Sequence, residues 1–155
     1  MVTHPIQQPS TVVAAARPPA ARQHRPTLHG DVHALARALA GSREPHWRER
    51  LVVRLGPLGR AFADHVRVTE GPAGLYAELL HQAPRLDRGV RLLTREHADI
   101  AAAIVALQHV AEAPGVPVEE LCGRAAQLLR ALQRHRQRGA DLLWEAYQAD
   151  LGGET

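Results

Sequence analysis

The stretch Arg85–Ala113, RLDRGVRLLTREHADIAAAIVALQHVAEA, decides the fold. Its apolar residues recur in alternating steps of three and four: Val90, Leu93, Ile100, Ile104, Leu107 and Ala111. One place in that series, position 97, holds a histidine where another leucine is due. Spacing of this kind lays a single stripe along one face of an α-helix, and the stripe is buried against neighbouring helices. The pattern stops at Pro114-Gly-Val-Pro117, which cannot continue a helix.

The segments on either side repeat the design. Leu51, Leu55, Leu58, Phe62, His65 and Thr69 form one stripe, and Leu121, Ala125, Leu128, Leu132, His135, Gly139 and Leu142 form another, each again with a histidine in the seam. An earlier stripe, Leu28, Val32, Leu35 and Leu39, has His29 and His33 one position round from it, four apart and so on a common face. Helices are thus expected over about 28–40, stopped by Gly41-Ser42, and over 45–70, interrupted by Gly71-Pro72. Two more are expected over 85–113 and 117–150, ahead of Gly152-Gly153. A short continuation, AGLYAELLHQ (73–82), ends before Pro84. Four helices with short connections predict an all-α, up-and-down four-helix bundle over residues 28–150.

Composition agrees with this class. Apolar residues make up 45% of the 155, enough for one core, but aromatics only 3%, so the core is built from Leu, Val, Ile and Ala. All 19 basic residues are arginine, read as a mark of base composition rather than of phosphate binding. Residues 1–27 hold five prolines, three arginines and no acid, and read as a disordered leader. From residue 28 onward acids and arginines balance, which argues against a nucleic-acid-binding body. No run approaches the roughly 20 apolar residues that span a bilayer. The lone Cys122 excludes an internal disulfide, and a cytoplasmic protein is expected. Residues 151–155 read as a flexible end.

Antiparallel helices bring the start of one level with the end of the next. His29 and His33 stand early in the first helix, His65 late in the second, His97 in the first half of the third and His135 past the middle of the fourth. That alternation is the condition for convergence at one height. An unpartnered buried imidazole costs about 1–3 kcal/mol, and a shared metal ion is the simplest common partner, since neutral imidazole is the commonest protein ligand of transition metals.

One histidine on each of four helices, with Arg95-Glu-His-Ala-Asp-Ile100 on the third, resembles the hemerythrin-like, HHE cation-binding family over about residues 28–150. The resemblance implies a helical bundle holding two bridged irons that bind dioxygen or sense redox state. It implies histidine ligands from all four helices, with a carboxylate four residues after the second- and fourth-helix histidines. His65, His97 and His135 match those positions. For the first helix, distance to His65 favours His29, whereas the local Asp31-Val-His-Ala-Leu35 favours His33, and both are retained. The carboxylate positions are filled by Thr69 and Gly139.

Glu70, the next acid after His65, lies about 140° round a regular helix from it. Unwinding at Gly71-Pro72 is the route by which Glu70 would turn inward as a ligand. The expected metal set is therefore His29 or His33, His65, Glu70, His97 and His135, holding one or two irons or a zinc. Asp64 and Glu96, each directly before a site histidine, are candidate hydrogen-bond acceptors behind the ligands. Tyr76 continues the second seam and is a candidate phenol at its edge.

No phosphate loop, Cys-pair zinc motif or nucleophile triad is present, and no acid–base constellation suggests turnover of an organic substrate. The expected function is binding of dioxygen or another small diatomic, or redox or metal sensing. The alternative is a metal-free bundle serving as an interaction scaffold.

Overall fold

A computed structural model describes residues 25–151. Its order is α1 (Arg25–Ala40), α2 (Trp47–Glu70), α3 (Leu75–Gln82), a 3-10 turn (Pro84–Leu86), α4 (Asp87–Glu112) and α5 (Val118–Leu151), with no strand among the described residues. Four long helices and one short one stand where the stripes placed them, with bounds shifted by a few residues. Residues 1–24 of the expected leader and 152–155 of the expected flexible end lie outside the described residues. Arg25 to Thr27 form the first turn of α1.

The long helices close a ring: α1 and α4 each pack against both α2 and α5. Side chains tie the turns together at one end. The Trp47 indole N–H donates to the Ala38 carbonyl of α1, and the Arg48 guanidinium donates to the Ala113 and Val116 carbonyls of the α4–α5 turn. Both short turns therefore lie at that end, and α3 lies at the other.

Within α2, Pro57 removes one backbone hydrogen bond. Pro57 and Val53 are both on the exposed face, so the carbonyl left without a donor is on the side of water.

The seams form two apolar clusters. The larger joins Leu35, Leu51, Leu58, Phe62, Ile100, Leu107, Leu128 and Leu132 with their neighbours. The smaller, at the α3 end, joins Tyr76, Leu79, Leu86, Val90, Leu93 and Leu142. Position 65 follows Phe62, position 97 falls between Leu93 and Ile100, and position 135 falls between Leu132 and Leu142. The three seam histidines thus form a polar layer between two dry ones.

The α2–α3 turn seats the second cluster. Gly74 N–H donates to the Gly71 carbonyl at 2.8 Å. A Cβ at Gly74 would stand 2.7 Å from the carbonyl oxygens of both Val68 and Thr69, so only glycine lets the chain pass this close to the end of α2. The turn delivers Tyr76 to the buried side of α3, at 8% exposure.

Candidate metal centre

Heights along the bundle explain which histidines meet. At 1.5 Å per residue, His65 lies about 27 Å from the Trp47 end of α2. His97 and His135 lie about 22 and 26 Å from the α4–α5 turn at that same end. The three are level to within about one helical turn, and each sits on a stripe aimed at the interior.

Their rings converge through one type of atom. The Nε2 of His65 is 3.2 Å from the Nε2 of His135 and 3.2 Å from that of His97, and the His97 and His135 Nε2 atoms are 3.0 Å apart. His97 and His135 are buried and His65 is half-buried. Phe62 closes the layer on the main-core side, its ring centroid 5.8 Å from those of His65 and His97 and 6.3 Å from that of His135.

The outer nitrogens are fixed by carboxylates. His97 Nδ1–H donates to Glu70 Oε1 at 2.5 Å, and His135 Nδ1–H donates to Glu96 Oε2 at 2.9 Å. With those protons on Nδ1, the tautomer that the hydrogen bonds assign, both Nε2 atoms carry lone pairs and face one another without a proton between them. Burial holds both histidines below the ordinary imidazole pKa, opposed at His97 by the Glu70 hydrogen bond. A shared proton is thereby disfavoured. Two lone pairs at 3.0 Å, with His65 Nε2 3.2 Å from each, form a group of donor atoms close enough together to hold a metal ion.

Glu96 is itself held by the Arg138 guanidinium, on the same face of α5 as His135, with 15% of its side chain exposed. Asp64 instead pairs with Arg67 at 3.1 Å in solvent. Of the two acids that precede histidines, Glu96 thus bonds the histidine of the neighbouring helix, His135.

Glu70 departs from its expected role as an inner ligand. α2 remains helical through Glu70 and ends at Gly71, in extended backbone with ψ 160°. The residue keeps its rotated position, points away from His65, and meets the far nitrogen of His97 across the α2–α4 groove.

His29 and His33 are not brought to the cluster. Both are exposed, and they pair edge to face with each other, ring centroids 4.6 Å apart. The reason is length: His29 is eleven residues from the Ala40 end of α1, about 16 Å, roughly two turns short of the histidine layer.

At that layer the fourth described group comes from α3. The Tyr76 hydroxyl stands 3.4 Å from His97 Nε2, and its ring lies nearly parallel to the His97 ring, at 10° and 5.7 Å between centroids. Burial pushes the phenol pKa up, and a hydrogen bond to the Thr69 side chain opposes that shift. The Thr69 hydroxyl donates in turn to the His65 carbonyl at 2.8 Å. Sequence reasoning placed Tyr76 only at the edge of a seam and gave Thr69 no partner. The helix break between them hides their pairing from any periodicity.

No protein-family model, curated protein or solved structure matches this chain.

Proposed function

We propose that this chain is a metal-binding helical bundle that takes one transition-metal ion, iron first, on the Nε2 atoms of His65, His97 and His135. The observation that carries the reading is the convergence of three Nε2 atoms 3.0–3.2 Å apart, those of His97 and His135 with their ring protons held on Nδ1 by Glu70 and Glu96. Those edges suit ligands about 2.0–2.1 Å from a shared point just off the plane of the nitrogens. A carboxylate behind a ligating histidine fixes its tautomer and raises its basicity.

The donor set supports one ion rather than a carboxylate-bridged pair. Thr69 and Gly139 offer no bridge, and the carboxylates of Glu70 and Glu96 are engaged with outer nitrogens. Three neutral imidazoles suit iron and zinc alike, and the resemblance to hemerythrin-like proteins favours iron. The same resemblance supports a small diatomic as the exogenous ligand. Dioxygen or another diatomic is therefore the ligand class proposed, with binding or redox sensing as the function.

Metal analysis of untagged protein tests this reading. Close to one iron or zinc per chain is expected. It should be lost in His65→Ala, His97→Ala and His135→Ala and kept in a His29→Ala/His33→Ala double variant. Metal-free protein that gains no ion on incubation with iron(II) or zinc(II) would overturn it.

A further inference from the structure

We propose that the Tyr76 phenol oxygen is the fourth protein ligand of the ion, completing a set of three nitrogens and one oxygen. The inference rests on the three-histidine reading above and extends it to a residue type outside the histidine–carboxylate pattern.

Three observations point to Tyr76. First, its oxygen approaches the cluster at the inner nitrogen: the contact at 3.4 Å is to His97 Nε2, the atom that also faces His65 and His135. A nitrogen–oxygen edge of this length is close to the roughly 3.3 Å that separates two ligands of a tetrahedral ion at 2.0–2.1 Å. Second, the phenol is buried. Tyr76 is only 8% exposed, and its hydroxyl stands within hydrogen-bonding distance of His97 Nε2. Third, the backbone is built to hold this ring. Gly74 lets the chain turn tightly against the carbonyls of Val68 and Thr69, and the ring is clamped parallel to His97 and packed among Leu79, Leu86, Val90 and Leu93.

Charge favours the same arrangement. Three neutral imidazoles leave a divalent ion with its full charge in a buried layer. Coordination by the phenol breaks its O–H bond, forms an oxygen–metal bond and releases the proton to solvent, which lowers the net charge of the centre by one. A bound cation stabilises the deprotonated form of its ligands.

The test is spectroscopic. Metal-free protein is loaded with iron(II) under argon and oxidised with one equivalent of ferricyanide, which takes one electron from each iron. The wild type is expected to show a visible phenolate-to-iron(III) charge-transfer band with tyrosinate ring modes in its resonance Raman spectrum. Tyr76→Phe, which removes only the oxygen, is expected to keep about one iron per chain and lose both signals. Iron(III) bound by the wild type without the band, or a band that persists in Tyr76→Phe, would overturn the ligand assignment while leaving the three histidines in place. A wild-type chain that holds no ion would overturn both readings together.

Discussion

His97 and His135 present Nε2 atoms 3.0 Å apart although each has its Nδ1 proton committed to a carboxylate, Glu70 for one and Glu96 for the other. Lone pairs so placed face two groups within hydrogen-bonding distance, His65 Nε2 and the Tyr76 hydroxyl. Four expectations follow from this arrangement and from the proposed metal site.

An ion that binds only the folded chain stabilises it by mass action. At a free concentration 100 times its Kd, iron(II) or zinc(II) should add about 2.7 kcal/mol to the unfolding free energy. Urea denaturation with and without the ion measures this. In His97→Ala the increment should vanish, since that ring contributes one nitrogen and neighbours both others. A full increment surviving in this variant would move the ion elsewhere.

The metal-free protein should lose stability in mild acid. Burial lowers the folded pKa of His97 and His135 below the unfolded value of 6.5, so below that value the unfolded chain binds more protons than the folded one. Their contribution is present in full above about pH 6.5 and is lost progressively as the pH falls from there through the folded values. Denaturation midpoints at pH 8, 6 and 5 should fall in that order. A double His97→Gln/His135→Gln variant should show a flatter profile over the same window.

Glu96→Gln should weaken metal binding about 10–100-fold with all three ligands intact, because a partner behind a ligating histidine sets its basicity and orientation. Asp64→Asn is the matched control. It too precedes a site histidine, but it pairs with Arg67 in solvent, and its affinity should match wild type. Equal losses in the two variants, measured by competition with a chromophoric chelator, would remove Glu96 from the site.

Gly74→Ala should be costly out of proportion to one methyl group. Its Cβ would stand 2.7 Å from two backbone oxygens that side-chain motion cannot relieve, so α3 must shift. A loss of about 1–3 kcal/mol is expected from overpacking of this kind. Tyr76 should also move away from His97, read as increased accessibility of the phenol in near-ultraviolet absorption. An alanine variant as stable as wild type would mean that the turn is not constrained as described.

The sequence by itself determined the helices, their stripes and the approximate common height of three histidines. These are local quantities: a repeat of 3.6 residues and a rise of 1.5 Å are the same wherever a helix sits. The same arithmetic carries the exclusion of the first-helix histidines, but it becomes visible only when the ends of α1 and α2 are known to be joined through Trp47 and Ala38. Tertiary structure alone decided which group serves which. Glu70 is rotated away from the histidine of its own helix, as its phase requires, and for that reason reaches His97 on α4. Glu96 adjoins His97 in the chain and serves His135 on α5. Tyr76 lies beyond a helix break, in a register that no periodicity carries across Gly71-Pro72. Each is a side chain reaching over a groove to another helix. Rotational phase along one rod says where such a side chain leaves the backbone, and only the packing of the rods says what it meets.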